Sequence, residues 1–591
     1  MDNQRNLLIA VLLSGLLLFG WDAGMSYFYP QSEAVTAAER VDSPTERAEI
    51  AASQDGIAAV PASPGEAAAP VAVDRAVASA GRIPIDAPSI AGSINPVGAR
   101  VDDVVLKTHR QTVDEDSGPI RIFSPAGTQA QHFAQFGWVG EGVATPGLDT
   151  VWTAEGDVLT ADSPVTLRWD NGEGQQFAIR FQVDDDYLIT ATQQVSNTGG
   201  GPVVAQPFSV INRTSATASP STWNVHSGPI GVFDESVQFG PDYDDLAETA
   251  RETPEGRTAW LGFTDIYWMS ALIAEDKTAS TSDFRSLGND IYRADLVYQP
   301  STVAAGADLT RTTRLFVGAK ETEVLDAYQD GGITQFGLAI DWGWFRWFEK
   351  PIFWLLRQLF DLVGNFGVAI ILLTVIIRLL LFPIAQKQFA SMAAMKAIQP
   401  KMKALQERHK DDKQKQQQEI MKLYKEEKVN PLAGCLPLLL QIPIFFALYK
   451  VLILGIEMRH EPFALWIEDL SAPDPATILN LFGLLDFTPP SFLGIGVLAV
   501  MLGFTMWLTF KLNPSAMDPM QQQIFNIMPW ILMFVMAPFA AGLLLYWNTS
   551  NILTLAQQSF LYSRHPQLKA AAMKEKEEKR LAAEREKAEK A

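Results

Sequence analysis

Apolar stretches in the C-terminal half limit the possible folds of this chain more than any other feature. Residues 364–385 (GNFGVAIILLTVIIRLLLFPIA), 434–455 (GCLPLLLQIPIFFALYKVLILG) and 492–512 (FLGIGVLAVMLGFTMWLTFKL) are each long enough to cross about 30 Å of hydrocarbon. A fourth stretch, 524–562, reads by hydropathy as one span over 524–547 that trails into NTSNILTLAQQSFLY. Charge decides how it is counted. Residues 386–430 carry 11 Lys and Arg against 6 acids, and the tail from Arg564 carries 9 against 6. Short basic segments beside apolar runs stay on the cytoplasmic side. With both segments inside, 364–385 enters, 434–455 exits and 492–512 returns, so 524–562 must cross twice, broken at Pro538–Gly542. Its 39 residues give about 58 Å of helix, enough for two short spans.

The N-terminal half has a different texture. Residues 7–20, LLIAVLLSGLLLFG, have the length of either a cleaved signal peptide or a retained anchor; because the apolar character resumes after Asp22 and no clear small-x-small cleavage site follows, 1–30 is expected to be a retained transmembrane signal-anchor. Residues 31–98, rich in Ala, Pro, Ser and Glu, are expected to form a disordered tether. From residue 99 to 335, short alternating runs such as VTLRWDN, QQFAIRFQV and RTTRLFVG are punctuated by Gly, Pro and Asp. Period-2 alternation of this kind predicts an antiparallel β-sandwich. Residues 31–340 hold 43 acids against 19 basic residues, which argues against a nucleic-acid site there. The single cysteine, Cys435, rules out an intramolecular disulfide.

Residues 342–361, WGWFRWFEKPIFWLLRQLFD, are dense in Trp and interrupted by Arg346, Glu349, Lys350, Pro351 and Arg357. That suits an amphipathic helix lying in the membrane interface. The expected architecture is therefore an α-helical polytopic membrane protein of six spans, five of them in a core bundle over 364–562, plus a large periplasmic β-sandwich. Both termini would be cytoplasmic, the N-terminus ahead of the first span and the C-terminus in a basic tail over 563–591. No phosphate-binding loop, hydrolase elbow or metal cluster is present, and the six histidines are dispersed, so no enzyme activity, cofactor or metal is expected.

Several segments, NPLAGCLPLLLQIPIFFALYKVL, FALWIEDLSAPDP, DPMQQQIFNIMP and GLLLYWNTSNILTLAQQ, resemble the YidC/Oxa/Alb family of membrane insertases, in its long bacterial form. The resemblance covers roughly 343–562 closely. It implies a nucleotide-independent insertase and chaperone in the bacterial inner membrane, acting alone or with the Sec translocon. Its expected partners are nascent inner-membrane proteins, the ribosome, the signal recognition pathway and the lipid bilayer. It also implies a β-sandwich akin to sugar-binding sandwiches, although no sugar-binding constellation is visible.

Arg378, inside 364–385, is the residue that most needs an account. A guanidinium at a helix centre costs about 2.5–3.5 kcal/mol on insertion scales. It lies six residues before Ile384, about 9 Å from the cytoplasmic end. One reading is a side chain that snorkels to the interface. The other is a water-filled cavity open to the cytoplasm, because no Asp or Glu lies in the last five spans. The resemblance favours the second, since the family keeps an arginine here in a hydrophilic groove. Thr374 sits one turn before Arg378, and Gln441, Thr505, Thr509 and Tyr546 are polar positions on neighbouring spans, so all are candidates to line the groove. Trp547 matches a groove-facing aromatic of the family. In the basic segment, Met392, Met395, Ile398, Met402 and Leu405 share one helical face, predicting a cytoplasmic helical hairpin over 386–430. Its Met392, Met395 and Met402, flanked by Lys401 and Arg408, suit capture of apolar segments, and equally suit two helices packed on each other. The rival readings are a small-solute transporter and a membrane-anchored periplasmic binding or enzyme domain. The first predicts inverted repeats that the sequence lacks, and the second leaves Arg378 without a purpose.

Overall fold

The computed structural model describes residues 71–564, except 80, 115, 220–224, 277, 344–345, 410–411, 428–435, 483–484, 486–493 and 513–518. For 388–397, 399–400, 403, 413, 436–440, 512, 519–522, 524–525 and 562–564 it describes the backbone only. The expected signal-anchor, nearly all of the tail, Cys435 and the side chains of Met392 and Met395 lie outside the described residues.

The alternating half of the chain forms two antiparallel sheets packed face to face, of ten and nine strands. In the first, Val203–Thr214 is central, hydrogen-bonded to His132–Glu141 on one side and Ile291–Tyr298 on the other. In the second, Asp308–Ala319 lies between Trp268–Ile273 and Leu188–Asn197. Strand Leu188–Asn197 alternates strictly between buried and half-buried positions, with Ile189, Ala191, Gln193 and Val195 facing inward. That period of two is what the sequence displays. Trp138, Phe136, Phe177 and Phe181 fill the space between the sheets, while Trp260 packs on Phe336 at the outer face of the second sheet.

The sandwich begins earlier than expected. Ile83–Asp86 pairs with Ile90–Asn95, which in turn pairs with Arg100–Arg110, so the tether does not extend to residue 98. Ile83, Ile85, Ile90 and Ile94 are all buried. Proline and serine between these isoleucines give the segment the composition of the tether and conceal its alternation.

A short helix, α1 (Thr322–Asp330), leads away from the last strand. Helix α2 (Arg346–Val363) buries Ile352, Phe353, Leu356 and Leu359 and turns Trp347, Trp354 and Leu362 outward, 73%, 63% and 76% exposed. Next come α3 (Phe366–Leu380), α4 (Phe382–Arg408), α5 (Lys413–Glu426) and α6 (Leu436–Leu454). The chain closes with α7 (Val497–Leu512), α8 (Pro519–Met536) and α9 (Ala541–Arg564). Asn365 caps α3, its side chain accepting from the Val368 amide at 3.0 Å.

Among the described residues no helix is long and apolar enough to cross a membrane. The run 364–385 is divided at Leu381, where α3 ends after 15 residues and α4 starts with Pro383 in its first turn. Pro443 and Pro529 interrupt α6 and α8. The break expected within 524–562 falls between α8 and α9.

One connection, residues 456–482, gathers the same-side ends of these helices. Asn365 at the start of α3 donates to the carbonyl of Phe463 at 2.9 Å. The amides of Ala541 and Gly542, opening α9, donate to Ala472 and Leu470 at 2.8 and 2.9 Å. The Leu498 amide of α7 donates to Asp474 at 2.7 Å. The start of α3, the end of α6, the start of α7 and the α8–α9 turn therefore lie on one side, and α3, α6, α7, α8 and α9 alternate in direction.

The sandwich is bolted to this same side. Arg357 of α2 pairs with Glu323 at 2.8 Å, and Glu457 accepts from the Thr322 amide at 3.2 Å. Arg459 donates to the carbonyls of Arg110 and Gln111 at 2.8 and 3.1 Å and lies over the Trp268 ring. Lys450, at the end of α6, bonds the Asp341 carbonyl at 2.7 Å and its carboxylate at 3.2 Å. Glu349 is buried beside them, and burial pushes its carboxyl up to about 7, against the pull of Lys450. Holding it half-neutral near pH 7 lessens the cost of burying an acid.

Candidate functional site

Helices α3, α6 and α9 bring three of the expected groove residues together. Arg378 donates through Nη2 to the Ser550 hydroxyl of α9. Gln441 of α6 donates to the Tyr546 hydroxyl at 2.6 Å, and that hydroxyl also reaches Ser550. The result is a polar chain, Arg378–Ser550–Tyr546–Gln441, linking α3, α9 and α6. Tyr546 and Ser550 are one turn apart, so one face of α9 presents both. The group that meets the Arg378 guanidinium is a hydroxyl, not a carboxylate, so its charge is solvated without being neutralised. The Arg378 carbonyl accepts from Gln557, two turns beyond Ser550 on the same face of α9, at 3.4 Å.

Thr374 is buried on the Arg378 side of α3, and its hydroxyl donates back to the Ile370 carbonyl at 2.6 Å. Trp547 is turned away from Tyr546 and stacks obliquely on Phe445 of α6, with ring centroids 4.9 Å apart.

Thr505 and Thr509 lie elsewhere. Thr505 donates to the Asn548 side chain at 3.2 Å and accepts from Asn551 at 3.2 Å, while Asn548 donates to the Leu498 carbonyl at 2.9 Å. Thr509 donates to the Thr505 carbonyl at 2.8 Å. Residues 548 and 551 project from α9 on the side opposite 546 and 550, at 100° per residue. These groups seam α7 to α9 and are separate from the Arg378 chain.

The hairpin α4–α5 places Met402 and Ile398 against Leu423, all buried, with the Tyr424 hydroxyl 3.3 Å from the Met402 sulfur. Asp412 caps α5 through the Lys415 amide at 3.0 Å. Lys401 pairs with Glu427 at 2.5 Å, and Arg408 is exposed in the last turn of α4. The described part of the Met stripe thus packs between the two helices, while Met421 faces outward. Ser550 was missed in the sequence, where a serine in NTSNILT looks like any small helical residue; its spacing of four from Tyr546 was the available signal.

Comparison with known proteins places this architecture. Residues 82–355 match the model of the YidC periplasmic domain, and residues 358–569 match that of the 60Kd inner membrane protein. The membrane protein insertase YidC of Zymomonas mobilis subsp. mobilis is 46% identical over 566 residues, covering 95% of this chain and 96% of its own. The chain belongs to the YidC family. The YidC of Bradyrhizobium diazoefficiens is 43% identical over 602 residues, covering 96% of this chain and 97% of its own. Among solved structures, the YidC of Thermotoga maritima is 15% identical, with a TM-score of 0.29, covering 81% of this chain and 98% of its own. Family membership rests on the sequence relatives, and the β-sandwich corresponds to the YidC periplasmic domain.

Proposed function

We propose that this chain inserts and helps fold proteins of the bacterial inner membrane, using the polar chain around Arg378 as the foot of a cytoplasm-open groove. The observation that carries this is an arginine solvated by Ser550, with Tyr546 and Gln441 beyond it, between helices of apolar sequence. Relatives alike over nearly the whole chain and named membrane protein insertase support it.

A substrate with an acidic segment ahead of its membrane helix must move that segment across lipid. A wet, cationic recess reaching partway shortens the hydrocarbon path, and the charge at Arg378 draws carboxylates into it at reduced dielectric. Burial of the substrate helix in lipid, at about 25 cal/mol per Å² of apolar surface, then drives release. In this account α3 with the first turn of α4, α6, α7, α8 and α9 cross the bilayer, and the segment 1–30 supplies a sixth span. At 1.5 Å per residue these five described helices are about 22–36 Å long, close to the hydrocarbon thickness. The sandwich faces the periplasm and both termini face the cytoplasm. The hairpin α4–α5 meets substrates at the cytoplasmic mouth, alongside the ribosome and signal recognition pathway, and the chain works alone or beside the Sec translocon.

Reconstitution tests the proposal. The purified full chain in lipid vesicles, without nucleotide, is expected to protect a single-span substrate with an acidic leader from added protease. Protection no greater than in empty vesicles contradicts it.

A further inference from the structure

The connection 456–482 does more than join helices. Its first part is a tight hairpin: the Leu470 amide donates to Glu461 at 3.0 Å and the Phe463 amide to Ile467 at 3.0 Å, leaving Leu465 at the tip. Leu465 is 89% exposed and sits at φ +59°. Its second part closes through the Phe482 amide on the Thr477 carbonyl at 2.8 Å, leaving Leu481 and Phe482 at φ +51° and +63°, 51% and 58% exposed.

Left-handed backbone is unfavourable for a residue with a side chain. Water-facing loops put Gly or Asn at such positions, yet three of the four described here are large and apolar, the fourth being His460 at φ +63°. The polar side chains Asp474, Thr477 and Asn480 of the same segment are buried, while Glu468 is exposed. Asp474 is buried and accepts from the Trp466 indole at 2.9 Å, the Ala476 amide at 3.0 Å and the Leu498 amide at 2.7 Å. The segment is thus inside-out: a hydrogen-bonded polar interior, strained where it presents apolar side chains.

The geometry points to a lipid surface as the partner: we infer that Leu465, Leu481 and Phe482 form two wedges seated in the outer leaflet, at the boundary of headgroups and acyl chains. Continuity with α2 supports this occupant. Asn365 grips the hairpin at the carbonyls of Pro462 and Phe463, and Phe463 fills the space beside Gly367, so the tip stands next to the α2–α3 corner. That corner ends α2, whose outward stripe of Trp347, Trp354 and Leu362 has the pattern of an interfacial helix, with Leu362 nearest the corner and Trp347 at the far end. Burying Leu and Phe side chains among acyl chains is favourable and offsets the backbone strain. Because the connection 456–482 also holds the starts of α3, α7 and α9, a leaflet anchored there fixes the outer ends of the bundle against the bilayer.

This inference rests on the membrane reading above, and the test separates the two. In full-length chain carrying Cys435→Ser, single cysteines at Leu465, Phe482, Glu468 and Phe504 are labelled with bimane and reconstituted in phosphatidylethanolamine–phosphatidylglycerol vesicles. Glu468 is an exposed polar neighbour, and Phe504 is an outward residue of α7. Lipids brominated near the headgroup end of the acyl chain are expected to lower emission roughly twofold at 465 and 482, with none lost at 468. Water-like, unquenched emission at 465 and 482 with Phe504→Cys quenched overturns the wedges alone. No quenching at 504 either overturns both readings. Blue-shifted, lipid-insensitive emission at 465 with energy transfer between labelled copies overturns the wedges in favour of self-association.

Discussion

Replacing Arg378 by alanine is expected to lower insertion of substrates with acidic leading segments about tenfold, while substrates with neutral leaders lose much less. The figure follows from losing one charge-assisted interaction of about 1.5–3 kcal/mol, where each 1.4 kcal/mol is a factor of ten. Arg378→Lys keeps the charge but loses the planar fork that reaches Ser550, and should retain most activity. Arg378→Glu repels acidic leaders and should be the worst of the series. Protease protection of three matched substrates, with acidic, neutral and basic leaders, reads the outcome. A uniform loss across the three substrates assigns Arg378 to keeping the recess wet, and equal activity for every variant removes it from the mechanism.

The second large effect is one of stability. Asp265 is buried between two buried cations: it pairs with Arg213, accepts from the Ser219 amide at 2.8 Å and the Ser227 hydroxyl at 3.1 Å, and faces Lys320. Burial lowers the Lys320 ammonium to about 8, and the field of Asp265 works against that fall. Asp265→Ala leaves Arg213 buried without its carboxylate, a loss of about 3–5 kcal/mol. For a domain of this size that lowers Tm by roughly 10 °C. Thermal unfolding of the full chain, followed by proteolysis within the sandwich, is the measurement. Insertion below the unfolding temperature should be unchanged, because Asp265 is remote from the Arg378 chain; an unshifted unfolding temperature contradicts the ion-pair account.

The apolar runs and the period-2 runs made the order and type of most elements legible in advance, because each reflects the surroundings of a single segment. What stayed hidden depends on where two segments meet. Thr505 and Arg378 look equivalent as polar residues in apolar helices, yet α9 presents Ser550 to one and Asn548 to the other from opposite faces. The first two strands carry the isoleucines of a core and the prolines of a tether, and the prolines dominate the composition. The fit of Asp474 to an indole and two amides from separate elements has no local signature, since its neighbours SAPDP read as an ordinary turn.

The most direct test of the groove is a photocrosslinking probe placed in turn at Gln441, Trp547 and Thr509 of the full chain, presented with a ribosome-stalled substrate whose membrane helix has just emerged. The account predicts strong crosslinks from 441, on the Arg378 chain, and from 547, on the adjoining α6–α9 face, and little from 509, which lies on the α7–α9 seam. Crosslinks from 509 with none from 441 would contradict it.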